Sequence, residues 1–256
     1  MIKDLLWALR WLRKNPLFTA AVTAILALGI GANTAVFSIV DAVLLRPLPF
    51  ESSSRLVRIE ENFPKRSATA VPARDYLTML GRTDVFEKTV AHLRDDVTIT
   101  GAGEPQQVIG WRTSAGLFSL LGVHARLGRT LTESDGEFNA PNAVVLSDRL
   151  WRRMFHADTD VVGRTFTVLD EVYTIVGVMP LEFEFPNSAA EMWIPLRLTP
   201  ASTNLVDVVA RTKHGISVTQ AQGAMEVVAR QLELEDPQKK AGLRIVVSQW
   251  RDVLAR

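Results

Sequence analysis

Apolar positions crowd into one long run near the N-terminus and alternate in short runs through the rest of the chain. From Leu17 to Val40 there are 24 residues without a charge, and the polar side chains among them are few (Thr19, Thr23, Asn33, Thr34 and Ser38). Wound as an α-helix, this run extends about 36 Å, enough to cross a hydrocarbon layer of about 30 Å. We therefore assign residues 17–45 to a transmembrane segment. Upstream, Ile2, Leu5, Leu6, Leu9 and Leu12 recur at helical spacing, with Trp7 and Trp11 one turn apart and Arg10, Arg13 and Lys14 elsewhere around the helix. That pattern predicts an amphipathic helix over residues 1–16 lying in the headgroup plane, anchored by its indoles and cations. Pro16 allows a bend into the span, and the two prolines of Arg46-Pro47-Leu48-Pro49-Phe50 end it in an extended exit.

Inside the run, "LALGIGANTAVF" (Leu26 to Phe37) sets Ala27, Gly31 and Ala35 at i, i+4 and i+8, a stripe of small residues that forms a helix-packing face in lipid. A phosphate-binding loop would need a preceding strand and a third Gly or Ala where Thr34 stands. No G-K-[ST] triplet follows a glycine-rich stretch either. A cleaved signal peptide would carry an apolar core of only about 7–15 residues, so the run reads as an uncleaved anchor.

After the span, short strands and helices are mixed, the pattern of an α+β fold. Leu56–Glu60 alternates as a strand, and Pro72–Leu80 reads as a helix with proline in its first turn. Val97 and Ile99 alternate with threonines, and Val108–Thr113 is a further strand. Ser114–Leu121 is helical and stops at Gly122. Ala143–Ser147 reads as a buried strand that leads, with Asp148 as cap, into a helix over Arg149–Phe155. Thr165–Leu169 and Val172–Val178 propose a hairpin across Asp170-Glu171. "LGRTLT" at Leu127 and "VGRTFT" at Val162 repeat one phrase, with Gly128 and Gly163 in conformations that other residues resist. Val206–Arg211 is a strand, Ser217 and Gln220 form a capping box, and Val218, Ala221, Met225, Val228 and Leu232 mark the apolar face of the helix that follows. Leu243–Ser248 returns as a strand. The first and last portions then share one sheet, with the middle inserted between them.

Charge sharpens this picture. Lys and Arg total 29 against 28 acids, but Lys3, Arg10, Arg13 and Lys14 oppose only Asp4 within the first fourteen residues. That surplus places the N-terminus in the cytoplasm and the residues after about 45 outside it, with Asp41 at the outer interface. No basic stripe remains for nucleic acid. With no cysteine, disulfides and thiolate chemistry are excluded. His92, His124, His156 and His214 stand isolated and match no metal spacing, and each reads as a surface or loop residue. Asp95-Asp96 and Glu60-Glu61 are strand neighbours that point to opposite faces, and Glu182 and Glu184 in "LEFEF" read as solvated alternation. No nucleophile motif is present, so the chain is not expected to be an enzyme.

Several pieces together carry a resemblance: "ALRWLRKNPLFTAAVTAILALGIGANTAVFSIVDAVLLRPLPF", "SAGLFSLLGVHARLGRTLTESD", "VVLSDRLWRRMF", "VVGRTFTV", "YTIVGVMP" and "MWIPL". In order, they resemble the N-terminal half of FtsX-like ABC transporter permeases with a MacB-like periplasmic core domain, above all bacterial permeases in which this half is duplicated. The resemblance implies a MacB-like periplasmic core domain over residues 51–256, with a porter-like βα part (51–93 and 204–256) split by an inserted β-rich subdomain (94–203). It implies a bacterial inner-membrane permease subunit that passes motion from a cytoplasmic ATPase to the exterior domain for export or efflux. Its partners would be membrane lipid, the ABC ATPase subunit near residues 1–16 and a second permease half or subunit. ATP would be bound by the ATPase, and this chain would carry no cofactor. The turn after Leu169 is shorter than the family's "LDG" turn, and the family continues past the position of Arg256 into three more spans. The chain is therefore expected to be a fragment of a longer permease, or a product retaining the exterior domain on one anchor. The competing reading is a single-span, membrane-tethered binding or adaptor module without an ATPase.

Overall fold

The computed structural model describes residues 14–40, 50–64, 66–67, 70–101, 104–168 and 170–250. The expected amphipathic helix up to Arg13, the end of the span at 41–45 with Asp41, the exit through Pro47 and Pro49, and Leu169 lie outside them. The chain divides into two units, one within residues 1–47 and one essentially within 48–254.

The first unit holds helix α1, Pro16–Val40. Proline is tolerated at its start because the first helical N–H groups have no partner within the helix. Thr19 supplies one early bond, its Oγ1 donating to the Asn15 carbonyl at 3.0 Å.

The second unit begins with β1 (Leu56–Phe63), β2 (Arg66–Ser67), β3 (Val71–Pro72), α2 (Ala73–Met79), the fifteen-residue β4 (Phe86–Thr100), β5 (Gln106–Thr113) and α3 (Leu117–Leu121). Then come β6 (Leu127–Gly128), β7 (Ala143–Leu146), α4 (Asp148–Phe155), β8 (Thr165–Val168), β9 (Glu171–Val178) and β10 (Met192–Pro195). It finishes with β11 (Leu205–Thr212), α5 (Val218–Glu235), α6 (Pro237–Lys240) and β12 (Arg244–Gln249).

All these strands belong to one mixed sheet whose main path is β12-β1-β11-β4-β5-β10-β7-β9-β6. The β5–β10 and β7–β9 pairs are parallel, and their neighbours on the path are antiparallel. Strand β8 pairs both with the end of β4 (Ile99 opposite Val168) and with β9 (Phe166 opposite Tyr173). The path β4-β5-β10-β7-β9-β8 thereby returns to β4 and closes a ring. The first and last portions of the domain do lie side by side, through β12-β1-β11-β4. The division drawn at Leu93/Arg94 falls inside β4, so the two parts share a strand.

Three apolar clusters follow from strand alternation. Ile59, Ala91 and Val208 face α2 and α5, where Met225, Val228 and Leu232 cover them. Val90, Trp111 and Val209 point the other way, onto Phe118, Phe183, Phe185 and Trp193. Neighbours such as Val208 and Val209 serve opposite faces because side chains alternate along a strand. Within the ring, Val97, Ile99, Val108, Val144, Phe166, Ile175, Met192 and Ile194 pack together with Leu150 and Trp151 of α4.

Local signals resolve as follows. Ser217 Oγ accepts from Gln220 N, and Gln220 Oε1 from Ser217 N, so the capping box forms. At α4 the cap is Ser147, which accepts from Leu150 N at 3.1 Å, and not Asp148. Asp148 is instead the buried first residue of the helix, paired with Arg126 at 3.0 Å and Arg152 at 2.6 Å. Asp170 adopts φ 64° and makes the β8–β9 turn without glycine. "LEFEF" is a loop with Phe183 and Phe185 buried and Glu182 and Glu184 exposed.

Glycine is required where β9 crosses β6: a Cβ on Gly177 would lie 2.1 Å from the Arg129 carbonyl oxygen and 2.8 Å from that of Leu127. Gly177→Ala is expected to lower the unfolding free energy by about 1–3 kcal/mol, as forced overpacking does. Gly223→Ala, on the exposed side of α5 where a Cβ meets nothing within 4 Å, is expected to raise it by about 0.5–1 kcal/mol. Urea melts of the two variants in one detergent check both, and shifts of the same sign would contradict the structure.

Candidate functional site

Helix α1 is apolar around most of its circumference, and most of its described side chains are exposed. Leu17, Phe18, Ile25, Leu26, Leu28, Ile30, Val36 and Phe37 are all exposed, and no part of its most apolar window is buried. A helix that is apolar all round belongs inside a large core or a membrane, and 25 residues at 1.5 Å each give about 37 Å, the length of a membrane crossing. The structure places Ala27, Gly31 and Ala35 on one exposed face, and a Cβ on Gly31 would meet nothing within 4 Å. Lys14 is exposed at the start of the described residues. Trp7, Arg10, Trp11 and Arg13 lie outside them, so the proposed anchor cluster is not brought together here.

The folded domain has a polar cleft of about 420 Å³ at one mouth of the ring, a common place for ligands in barrel-like folds. It is lined by residues of β4, β5, β9 and β10 and of the segments flanking β7, β10 and β11, among them Asp95, Arg112, Asn142, Glu171, Tyr173 and Arg197. One pair of its charges meets directly, and the others are held by hydrogen bonds to neutral groups. Arg112 Nε donates to Asp95 at 2.5 Å, and Arg197 donates to Asn142 Oδ1 at 2.9 Å and to the Ala140 carbonyl at 2.8 Å. Asn142 Nδ2 in turn donates to Glu171 at 3.1 Å, and the Tyr173 hydroxyl to the same oxygen at 3.4 Å. Burial pushes the Tyr173 hydroxyl above its ordinary pKa, the Arg112 charge opposes this and Glu171 adds to it. The lining offers donors and acceptors in balance but pairs no nucleophile with a base. Among the described residues, no three of His, Asp or Glu gather as metal ligands.

A model of the MacB-like periplasmic core domain family matches residues 19–228. The chain belongs to this family. Two solved structures share the fold of the MacB-like chain. The periplasmic region of MacB from Actinobacillus actinomycetemcomitans superposes with a TM-score of 0.59 at 13% identity, over 78% of this chain and 91% of that one. The extracellular domain of the noncanonic ABC-type transporter YknZ from Gram-positive bacteria superposes with a TM-score of 0.54 at 16% identity, over 75% and 99%. No curated protein matches the sequence. The matching family is that of a MacB-like periplasmic core domain, and YknZ, which shares its fold, is an ABC-type transporter.

Two buried polar features of this MacB-like domain escape sequence reading. His92, expected at the surface, is 3% exposed in the middle of β4, ringed by Trp111, Phe185 and Trp250 at centroid distances of 5.5, 5.1 and 6.4 Å. Neither ring nitrogen has a hydrogen-bond partner. The only available signal was its register with Val90, two residues earlier on the same face. The second feature joins three distant segments: Lys240 of α6 contacts Asp75 of α2 and lies 3.4 Å from Glu61 of β1, with side-chain exposures of 14, 5 and 1%.

Burial, with the Arg58 charge adding to it, pushes His92 from 6.5 down to about 3. Because the folded value is the lower, the unfolded chain binds the proton first. The stability from keeping His92 neutral is complete above pH 6.5 and is lost as pH falls from there toward 3, at up to about 1.4 kcal/mol per pH unit. His92→Phe is expected to flatten unfolding free energy against pH over that window, and an unchanged slope would refute the assignment. Lys240→Met removes the cation between two buried carboxylates and is expected to cost about 3–5 kcal/mol at neutral pH, read by the same melts.

Proposed function

We propose that this chain is the N-terminal part of a permease subunit of an ATP-driven ABC transporter, and that it passes motion from a cytoplasmic ATPase to the exterior domain for export or efflux. The observation that carries this reading is that one family match runs unbroken from residue 19 to 228, taking in most of the apolar helix together with the folded domain. The basic surplus before residue 15 favours a cytoplasmic N-terminus in a bacterial inner membrane, with the domain outside. Lipid would surround α1, the Ala27, Gly31 and Ala35 face would meet a second permease half or subunit, and residues 1–16 would lie near the ATPase. ATP would bind to that ATPase and no cofactor to this chain. The parts that respond would be the porter-like part (51–93 and 204–256) and the insert (94–203).

The beginning of the domain is built to receive force. Buried Arg211 of β11 donates to the carbonyls of Glu51 and Leu120, the former at 2.7 Å, and Glu51 N donates to Leu121 O at 3.2 Å. The segment that follows the helix in sequence is thus fastened to the central sheet and to α3.

The absence of cysteine makes a single introduced thiol an unambiguous reporter. In intact cells a membrane-impermeant maleimide is expected to label the Ser53→Cys chain and not the Lys14→Cys chain. In membranes where the chain co-purifies with its ATPase, ATP and vanadate are expected to change the Ser53→Cys labelling rate at least twofold. Inverted labelling would reject the orientation, and a rate indifferent to nucleotide would reject the coupling.

A further inference from the structure

Strand β12 is the last strand at its end of the sheet among the described residues, with β1 on one side and no strand on the other. Its sequence, Arg244-Ile245-Val246-Val247-Ser248-Gln249, has one charge, at its start, and no proline. Such an edge is a template for strand addition, which proteins suppress with charge, proline, bulges or a covering element.

Here the cover is one side chain. Gln222 of α5 donates its Nε2 to the Ile245 carbonyl at 2.9 Å and accepts from Val247 N at 2.8 Å through its Oε1. Main-chain groups of alternate residues in a strand point to the same side, so Ile245 and Val247 both face away from β1. A residue of an added parallel strand would make this same pair of bonds, one to a carbonyl and one from the N–H two residues on. The side-chain amide therefore stands in for a strand residue and occupies the middle of the open edge.

We propose that Gln222 guards this edge against strand addition by a second copy of the chain. Two β12 strands approaching antiparallel about a twofold axis at Val247 would exchange main-chain bonds between the two Val247 residues. That register sets Val246 opposite Ser248 and Ile245 opposite Gln249, so no like charges face each other across 245–249. The edge is self-complementary, and the Gln222 amide occupies the Val247 N–H and the Ile245 carbonyl, the groups that the carbonyl of Val247 and the N–H of Gln249 in the second copy would engage. This inference is independent of the transport reading.

The test compares chains per particle, by light scattering in detergent, for the unaltered full chain, Gln222→Met and Gln222→Ala. Gln222→Met keeps the length of the side chain and loses only the amide, so circular dichroism is expected to show the unaltered fold even if Gln222→Ala is destabilised. Each folded variant is expected to carry twice the unaltered number of chains per particle. Adding Val246→Lys, which puts a charge on the edge beside Glu60 of β1, is expected to return the number to that of the unaltered chain. Folded Gln222 variants that keep the unaltered number would overturn the proposal. So would a doubled number that persists with Val246→Lys, because association would then not run through β12.

Discussion

One strand has to live in two environments, and the domain is arranged around that demand. The first half of β4 pairs with β11 and its pairing with β5 starts at His92, in a sheet covered on both faces: Ala91 faces the α2–α5 layer while Val90 and His92 face the aromatic cluster. Its second half gives Val97 and Ile99 to the interior of the ring, where β8 takes up the pairing that β11 has left. A fifteen-residue strand spans about 50 Å fully extended, so the ring and the outer sheet are joined by continuous backbone. The two parts of the sheet therefore cannot turn against each other without twisting β4 or breaking its ladder.

Elements whose information is local were legible in the sequence. The Ser217–Gln220 capping box, the apolar face of α5, the four-residue β7 with every side chain buried, and the alternation at the start of β1 each follow from spacing within one segment. The uncharged run that became α1 and the small-residue face on it were equally plain. What escaped was non-local. Ring closure depends on β8 meeting β4 69 positions away in the register Ile99 opposite Val168, and nothing in "TFTV" announces it. The cleft at the ring's mouth draws Asp95, Asn142, Glu171 and Arg197 from separate strands and loops, and none of them is unusual in its own segment. His92 was misread because a lone histidine carries no mark of burial, and Asp148 because a serine one residue earlier already supplied the cap.

Buried charge does a different job from buried carbon in this fold. Apolar residues would tolerate some sliding of α6 along the sheet, but Lys240 can meet both Asp75 and Glu61 in one arrangement only. Arg211 likewise fixes Glu51 and α3 at once. Buried ion pairs add little net stability, since desolvation offsets most of their attraction. Their value here lies in position: each joins segments far apart in sequence and fixes how one element lies against another.

The three apolar clusters are built from residues between Phe50 and Trp250, so the second unit has a core of its own. A soluble chain with so long an uncovered apolar helix would aggregate, because the area left in water far exceeds the few hundred Å² that monomers usually expose as one patch. An apolar surface of this length calls for lipid around the helix or for other helices beside it. Lipid alone requires apolar side chains but is indifferent to their size. The Ala27, Gly31 and Ala35 stripe presents small side chains on one face, which would let a neighbouring helix backbone approach closely.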